Sequence, residues 1–489
     1  MVTSRVSHLA LTSQPFAVRV GTRARVGRWF APQITVSPTA NGVIELWLKK
    51  FCRFLRLQSR APRSGSRAIH WLCDAVTTCR TPPSVAREQD VCGSGASGRN
   101  GGYALSWWPK APSLCKQWGR EMARTMVRLS EQAIDEIELF CRAEMIDAEF
   151  RRCGWVWGAE SEMYCGGWNP AIETCRDLGV GDFEILDRAA VAMRSGTTAF
   201  HAGMFDRTAA LLQPAKLVRG MREVALRLGV RIFEHTSVNR FTRTCPVELK
   251  CTHGSVIAKV AVLATNAWAA SVPELARSIA VVTSDMIASK PIPDRLKEIG
   301  WSDGAGVNGS QTMVDYVRTT VSGRVLAGKG GLASALGGRI HNGIFHSDRR
   351  AATVQSSFRR LYPGFADLSI DTSWAGPVDR TFDGMPMLGS LRGHENILFG
   401  IGWSGNGLGP SKIGGRILAR LALGIRDELT SLPIVGPPRR DMPIEPIRFW
   451  GAQVIRSAVR RKDLAESSDR HPGPIVRALA SLAPRGVED

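Results

Sequence analysis

Residues 95–102 read Gly95-Ala-Ser-Gly-Arg-Asn-Gly-Gly102, and they form the most informative stretch of the chain. Glycine lets the backbone come close to a ligand and point successive N–H groups at an anion. Arg99 adds a positive charge that can face a phosphate, and Asn100 has both donor and acceptor groups. The stretch therefore predicts a loop that binds an anionic ligand.

The same region matches the dinucleotide-binding spacing GxGxxG through Gly93, Gly95 and Gly98. That fingerprint requires a strand before the loop and a helix directly after it. Here Arg99-Asn-Gly-Gly102 follows instead, so the match carries little weight by itself.

A second glycine-rich turn lies near the C-terminal end of the chain. A short apolar run, Ile397–Ile401, predicts a buried strand, and a helix is expected from about Ser411 to Leu423. Gly400–Gly409 lies between them and places N–H groups and the positive end of a helix dipole towards negative charge. An ordinary strand–turn–helix connection is the alternative.

Hydrophobic periodicity outlines the remaining elements. Leu114–Ala143 has apolar residues at three- or four-residue steps and predicts one amphipathic helix. Pro214–Gly229 predicts a second helix, with proline near its start and glycine at its end. Val260–Ala264 is short and wholly apolar, as expected of a strand covered on both faces. Other predicted elements are strands at Cys153–Ala159, Thr198–Met204, Val230–Glu234, Asp315–Thr319 and Arg324–Gly328, and a helix near Ala452–Ala465.

The positive charge of the chain is concentrated at its N-terminus. The 489 residues carry a net charge of +20, of which residues 1–87 contribute +12. The remaining residues are only mildly basic and contain no nucleic-acid-binding motif. We therefore expect no nucleic-acid partner.

Cysteine usage and hydropathy limit the class of protein further. The chain has 11 cysteines, without a CxxC pair or a Cys/His metal spacing, so we expect a reduced, cytoplasmic protein without a metal site. The best apolar run, Val43–Leu57, is interrupted by basic residues and is too short to span a membrane.

Several motifs occur in an order that resembles one enzyme family. Together with Gly95–Gly102, they span about residues 88–430. They are Gln213–Gly220, Thr236-Ser-Val238, Val262-Leu-Ala-Thr-Asn-Ala-Trp268, Asp315-Tyr-Val-Arg-Thr319, Trp374-Ala-Gly-Pro377, Asp383-Gly-Met-Pro386 and Gly402-Trp-Ser-Gly-Asn-Gly407. The set resembles FAD-dependent oxidoreductases of the D-amino-acid oxidase superfamily, especially the glycine/D-amino-acid oxidase and γ-glutamylputrescine oxidoreductase-like groups.

The resemblance implies FAD as cofactor and a set of residues that bind it. Glu88 stands where the family has the acid that binds the adenosine ribose, and a solvated surface acid is the alternative. Val238 corresponds to the turn that meets adenine. The implied cofactor-binding residues are Glu88, Ser97, Gly98, Arg99, Asn100, Gly101, Gly102, Val238, Thr265, Asn266, Trp268, Gly402, Ser404, Gly405, Asn406 and Gly407.

Candidates for the substrate wall are His201, Tyr316 and Arg318, with Trp107 and Trp108. A structural role is the alternative for His201, and core packing is the alternative for the two tryptophans. Arg318 either binds a substrate carboxylate or pairs with an internal acid. Oxidation of an amine needs a neutral nitrogen and a C–H bond directed at the flavin, so no dedicated catalytic base is expected.

The chain departs from the family pattern before residue 88. A family member begins with a strand and a GxGxxG helix that binds the pyrophosphate, but no such motif occurs between Ala31 and Arg87. We interpret residues before about 82 as a product of a wrong reading frame or start. A diverged protein and a basic targeting arm are the alternatives.

The expected fold is α/β. It combines a discontinuous FAD/NAD(P)-binding Rossmann-like domain, whose N-terminal βαβ unit is defective, with an α+β substrate domain that has a mainly antiparallel sheet. The implied activity is oxidation of a C–N bond of an amine or amino acid, and the alternative is a non-catalytic remnant that binds FAD weakly or not at all. The predicted boundaries are 1–82 for the basic segment, 83–145, 206–272 and 375–430 for the FAD-binding domain, 146–205 and 273–374 for the substrate domain, and 431–489 for a C-terminal appendage.

Overall fold

The computed structural model describes residues 84–301 and 304–483, so the predicted basic segment lies outside the described residues. The strands are β1 (Val85–Arg87), β2 (Tyr103–Ala104), β3 (Trp155–Ala159), β4 (Phe183–Leu186), β5 (Ala202–Asp206), β6 (Ala210–Leu211), β7 (Arg231–Phe233), β8 (Val238–Phe241), β9 (Val247–Cys251), β10 (Gly254–Ala258), β11 (Ala261–Leu263), β12 (Ala280–Ser289), β13 (Gly306–Gly309), β14 (Asp315–Thr319), β15 (Val325–Ser334), β16 (Ile370–Arg380), β17 (Met387–Leu391) and β18 (His394–Ile401). The helices are α1 (Ala96–Arg99), α2 (Ala111–Trp118), α3 (Arg120–Ala143), α4 (Asn169–Leu178), α5 (Arg188–Ser195), α6 (Pro214–Arg227), α7 (Pro293–Glu298), α8 (Asn342–Phe345), α9 (Asp348–Leu361), α10 (Pro410–Ala422), α11 (Ile447–Glu466) and α12 (Pro474–Ala480).

Eight strands form one large mixed sheet in the order β16-β12-β15-β14-β13-β3-β5-β4. Neighbouring strands are antiparallel except β13 and β3, which are parallel. The strands come from the segments predicted for the substrate domain, except that β5 ends at Asp206 and β16 at Arg380. The mainly antiparallel sheet expected there is confirmed, while the exact domain boundaries remain a prediction.

The other parallel strands are divided between two smaller sheets. β1 pairs in parallel with β7, and β11 pairs in parallel with β18, whose other edge carries antiparallel β17. Within residues 84–301 and 304–483, no strand joins the β1–β7 pair to the β11–β18–β17 sheet. The expectation that both faces of β11 are covered is wrong for one side chain. Ala261 and Leu263 are buried, but Val262 points to the opposite face and is 44% exposed.

The predicted long helix at Leu114–Ala143 is also corrected. It consists of α2 and α3, which are separated by Gly119. Gly119 has φ 80° and ψ 165°, and this conformation cannot continue a right-handed helix. The apolar face of α3 packs in the core as expected, with Met126 and Ile134 fully buried.

Local sequence signals account for α6. The Gln213 side chain accepts hydrogen bonds from the backbone N–H groups of Ala215 and Lys216, and Pro214 occupies the first helical position. Gly229, with φ 84°, follows the end of the helix. The next strand, β7, therefore begins close to where the sequence predicts it.

The C-terminal part adds two helices beyond the large sheet. α11 includes the predicted helix at Ala452–Ala465 but is longer at both ends. Ala458 and Val459 of α11 pack with Ala480 of α12, and Met313 from the sheet side contacts this cluster. None of the described helices is long and apolar enough to cross a membrane.

Candidate functional site

A cavity of about 1160 Å³ brings together four parts of the chain. They are the glycine-rich loop, the turn after β18, the large sheet and α11. The volume exceeds the roughly 300–1,000 Å³ of pockets for small ligands, so the cavity has room for more than one small organic group. The lining includes Ser97, Arg99, Asn100, Gly101, Tyr103, Trp157, Asn266, Asn308, Tyr316, Asp379, Trp403, Ser404, Gly405, Asn406, Gly407, Arg456 and Lys462.

The glycine-rich loop is folded tightly around the short helix α1. A Cβ atom on Gly98 would lie 2.1 Å from the carbonyl oxygen of Gly93, so this position admits only glycine without a backbone shift. Arg99 Nε donates to the carbonyl of Ser94 at 2.5 Å, and its guanidinium lies over the ring of Phe345. The loop thus presents Ser97, Arg99 and Gly101 to the cavity, as predicted for a ligand-binding loop.

The side chain of Asn100 is used within the loop itself. Its Nδ2 donates to the carbonyls of Ala96 and Ser97, and its Oδ1 accepts from Gly102 N at 2.8 Å. Gly102 has φ 79°, and a Cβ there would lie 2.1 Å from the carbonyl oxygen of Leu212. Asn100 therefore fixes the loop conformation, while Gly102 lies behind the lining residues.

Glu88 and Val238 lie together, away from the cavity lining. Glu88 follows β1, and its carbonyl accepts from Thr236 N at 2.8 Å, two residues before Val238. Burial raises the pKa of the Glu88 carboxyl, although backbone hydrogen bonds from Asp90 and Gln89 act in the opposite direction. Val238 is 41% exposed. Glu88 and Val238, the two residues predicted to bind the adenosine part of FAD, thus lie near each other in the structure. Their role remains a prediction.

Thr265, Asn266 and Trp268 follow β11 and approach the loop differently. Asn266 lines the cavity in a left-handed conformation, with φ 47°. Trp268 supports the loop from outside the cavity, since its ring is 3.5 Å from where a Cβ on Gly95 would lie. Thr265 accepts from Trp268 N through its carbonyl and does not line the cavity.

Asp379 on β16 connects these regions and was not among the predicted site residues. Its Oδ2 accepts from Gly402 N at 2.6 Å, and its Oδ1 accepts from Trp403 N at 3.1 Å and from Asn266 Nδ2 at 3.0 Å. Burial raises the pKa of its carboxyl to about 7 in spite of these hydrogen bonds. The only sequence signal for Asp379 is its position between the motifs Trp374–Pro377 and Asp383–Pro386.

The turn after β18 is held in an unusual backbone conformation. Gly402, Ser404 and Gly405 have φ values of 84°, 54° and 90°. Ser404 Oγ contacts the hydroxyl of Thr381 at 3.1 Å, and Asn406 Nδ2 donates to the carbonyl of Ser106 at 3.1 Å. Ser404, Gly405, Asn406 and Gly407 line the cavity, and α10 begins three residues after Gly407. Gly402 lies outside the lining, and its N–H donates to Asp379.

Tyr316 is the predicted substrate-wall residue that lines the cavity. Its hydroxyl is 2.7 Å from Ser284 Oγ, and its ring meets that of Tyr103 edge to face. Its neighbour in the register, Asn308, also lines the cavity and was missed by the sequence analysis. Asn308 Oδ1 is buried and has no hydrogen-bond partner within the described residues.

Arg318 lies behind the loop and outside the lining. A Cβ on Gly102 would come within 2.9 Å of its Nη2, and the side chain is almost fully buried. Burial lowers the pKa of Arg318 to about 10. Its Nε is buried without a hydrogen-bond partner among the described residues. The geometry supports neither an internal ion pair nor a direct contact with a ligand in the cavity.

The other substrate-wall candidates also lie outside the lining. His201 Nδ1 is 2.9 Å from Glu162 Oε1 at the surface, which favours its structural alternative. Trp107 and Trp108 are 2% and 0% exposed, and Trp108 Nε1 donates to the buried Asp206 at 2.9 Å. Both tryptophans therefore pack in the core.

No group of three or more His, Cys, Asp or Glu side chains that could hold a metal ion occurs in the part of the chain that the structure describes. The chemistry of the cavity is instead that of a glycine-rich loop, a polar turn and an aromatic sheet surface. This combination suits an organic cofactor with an anionic portion.

Comparison with solved structures defines the class of protein first. The chain resembles glycine oxidase from Geobacillus kaustophilus with a TM-score of 0.60 at 18% identity, covering 76% of this chain and 96% of that one. Iminodiacetate oxidase from Chelativorans sp. gives a TM-score of 0.59 at 17% identity over 76% of this chain and 96% of that one. The fold is that of flavoprotein oxidases.

Sequence comparison then gives the family. Residues 85–421 match the family described as FAD dependent oxidoreductase, so this chain belongs to that family, whose cofactor is FAD. It is 27% identical to a probable oxidoreductase, OrdL, of Haemophilus influenzae over 69% of this chain and 77% of the relative. It is 24% identical to γ-glutamylputrescine oxidoreductase of Escherichia coli over 70% of this chain and 78% of the relative. The resemblance inferred from the motifs is confirmed.

Proposed function

We propose that this protein oxidises a C–N bond of an amine or amino acid and releases an imine that water hydrolyses. FAD, when bound, supplies the chemistry by accepting a hydride from the carbon next to nitrogen. The relatives named glycine oxidase, iminodiacetate oxidase and γ-glutamylputrescine oxidoreductase support nitrogen-containing substrates of this kind.

The arrangement around Asp379 is the observation that carries the proposal. This single carboxylate fixes Asn266, Gly402 and Trp403, which come from the two chain segments that the resemblance places at the cofactor. The glycine-rich loop and Tyr316 line the same cavity. The residues that we propose to bind the cofactor and to face the substrate therefore belong to one site, which supports the proposal.

The described residues fit the flavin end of FAD. Gly98 and Gly102 leave no room for a side chain against Gly93 O and Leu212 O, so they fix the fold of the loop. Gly101 lines the cavity without a side chain, so the loop backbone can approach a flat ligand there. We assign Ser97, Arg99 and Gly101 of the loop and Ser404–Gly407 of the turn after β18 as the residues that would hold the cofactor. The N–H groups of this turn and the first turn of α10 provide positive potential for negative charge on a reduced ring.

The sheet surface supplies the substrate side of the cavity. Trp157, Tyr103 and Tyr316 exclude water and leave an apolar space in which a neutral amine binds. Asn308 Oδ1 is a buried acceptor that can receive an N–H from the substrate nitrogen. No described side chain in the cavity needs to act as a base, because the substrate amine is oxidised in its neutral form.

A non-catalytic remnant of the family is the second candidate. One observation favours it: the parallel strands β1–β7 and β11–β18 are not joined within residues 84–301 and 304–483. In a Rossmann-like sheet, a central strand and its following helix provide the pyrophosphate site. A protein without them would bind FAD weakly or not at all.

The visible absorption spectrum of purified full-length protein, before and after addition of FAD and removal of free cofactor, tests both candidates. Retained flavin absorbance that bleaches when an amine or amino acid is added without oxygen supports the enzyme. A colourless protein that retains no FAD contradicts it and supports the remnant. The cytoplasmic location inferred from cysteine usage stays a separate prediction.

A further inference from the structure

The helix α11 forms one wall of the cavity although it lies outside the family-matched segment, which ends at residue 421. Ala452, Arg456, Val459 and Lys462 recur at three- or four-residue steps and all line the cavity. Such spacing places side chains on one face of a helix. One face of α11 is therefore directed at the cavity, from a segment outside the family-matched residues.

This wall is fixed to the sheet at both ends. Asp463 accepts hydrogen bonds from the backbone N–H groups of Thr312 and Met313 at 3.1 and 3.0 Å. Gln453 Nε2 donates to Ser334 Oγ at 2.8 Å. Since these contacts bracket Arg456, the position of its side chain is defined by the fold.

Arg456 is a cation without a matching acid. Its Nη1 donates to the carbonyl of Leu332 at 2.7 Å, and its Nη2 contacts Gln453 Oε1. No described carboxylate forms an ion pair with it, and burial, together with the nearby charge of Arg349, lowers its pKa. A partly buried guanidinium of this kind is stabilised by a carboxylate that arrives with a ligand.

Two other cations on the same wall are already neutralised. Lys462 Nζ lies 2.7 Å from Glu466, and Arg448 Nη2 lies 2.7 Å from Glu445. Arg456 therefore differs from its neighbours on the wall. Asn308 Oδ1, the unpartnered acceptor on the sheet, provides the complementary group for a ligand N–H. The two features together suit a ligand that carries both an amine and a carboxylate.

We propose that Arg456 is a specificity-determining residue that binds a carboxylate of the substrate from the α11 wall. This inference rests on the proposed oxidation of a C–N bond and narrows its substrate class to amino acids and other amines that carry a carboxylate. It concerns recognition, since the guanidinium neither donates nor accepts a proton in the reaction.

The experiment compares full-length holoprotein with three variants. Arg456→Gln removes the charge, Arg456→Lys retains it without the bidentate geometry, and Arg460→Gln changes an exposed arginine of the same helix as a control. Glycine, β-alanine and 4-aminobutyrate are each compared with their primary amides. Affinity is measured by calorimetry and kcat/KM by product formation.

Wild-type protein should prefer at least one acid over its amide. Arg456→Gln should reduce affinity and kcat/KM for that acid about tenfold to a hundredfold and change the amide less than about twofold. Arg456→Lys should give an intermediate loss, and Arg460→Gln should match the wild type.

Equal losses for acid and amide, or wild-type protein that binds the acids no better than the amides, would overturn the assignment of Arg456. If amines are nevertheless oxidised, the proposed function stands without this inference. If acids bind in an Arg456-dependent way but no compound is oxidised, the anion site stands and the oxidation proposal fails.

Discussion

The large sheet and the divided parallel sheets show two different degrees of completeness. Each strand of the eight-stranded sheet has a described neighbour, and side chains such as Val317 are buried within it. In contrast, β11 presents the exposed Val262, and β1 pairs only with β7 among the described residues. The strands proposed to face the substrate thus form one continuous eight-stranded sheet, whereas the parallel strands proposed to carry the cofactor are divided between a two-stranded and a three-stranded sheet.

The two regions can also be compared by the residues that each contributes to the cavity. The cavity lining includes the glycine-rich loop and the turn after β18, together with residues of β12, β14 and β16 in the large sheet. Loops held by a rigid scaffold commonly carry binding function. Both loops therefore line the cavity even though the parallel strands are divided between two sheets among the described residues.

The largest effect is expected at Asp379, where β16 of the large sheet meets the turn that follows β18. Its pKa is raised from 3.8 to about 7, so the folded protein binds this proton more tightly than the unfolded chain. Its stabilising contribution is complete below about pH 4 and is lost as the pH rises to 7. We therefore compare the free energies of unfolding of the wild type and Asp379→Asn. The wild-type value minus the variant value should fall by on the order of 4 kcal/mol between pH 4 and pH 7.

Denaturant unfolding at several pH values measures this difference, and Asp383→Asn provides a control of opposite sign. Burial alone would raise the pKa of Asp383, but its hydrogen bond and ion pair with Arg439 lower it overall. The wild-type advantage over Asp383→Asn should therefore grow as the pH rises. A pH-independent difference for Asp379→Asn would show that this carboxyl is not the buried link between the two regions.

The next effect concerns the glycine-rich loop on the cofactor side. A valine at position 98 would place its Cβ within 2.1 Å of Gly93 O, and overpacking of this kind costs about 1–3 kcal/mol. Gly98→Val should weaken FAD binding by up to about a hundredfold, measured by titration of flavin fluorescence. Gly364→Val, at an exposed position with open space around it, is the matched control. Equal FAD affinity of the wild type and Gly98→Val would exclude this loop as the cofactor site.

Much of this architecture was predictable because its signals are local. The start of α6 follows from Gln213 and Pro214, and the loop at Gly98 follows from glycine spacing. Asp379 and Arg456 were missed, because their roles depend on groups far away in the chain, such as Gly402 and Leu332. A sequence pattern shows which residues share one face of a helix or strand. It does not show which distant segment of the chain packs against that face.

The same limit explains two errors in the sequence analysis. Gly119 interrupts a regular apolar periodicity that continues in α3, so the pattern alone predicts one helix. Val262 lies in an apolar run that indicates burial on both sides, yet one side of β11 has no described neighbour at this position. For the helix the periodicity was correct and the missing information was the backbone conformation of Gly119. For β11 the missing information was tertiary, namely which face of the strand is covered.

The smallest predicted effect compares the two kinds of sheet directly. Val317 is 3% exposed in the large sheet, whereas Val262 is 44% exposed on β11. Because a buried methyl group loses both transfer energy and packing when it is deleted, Val317→Ala should lower the free energy of unfolding by about 2 kcal/mol. Val262→Ala should lower it by about 0.5 kcal/mol or less, as for exposed positions. Denaturant unfolding of the full-length protein measures both changes, and an equal cost would mean that the Val262 side chain is buried in the folded protein.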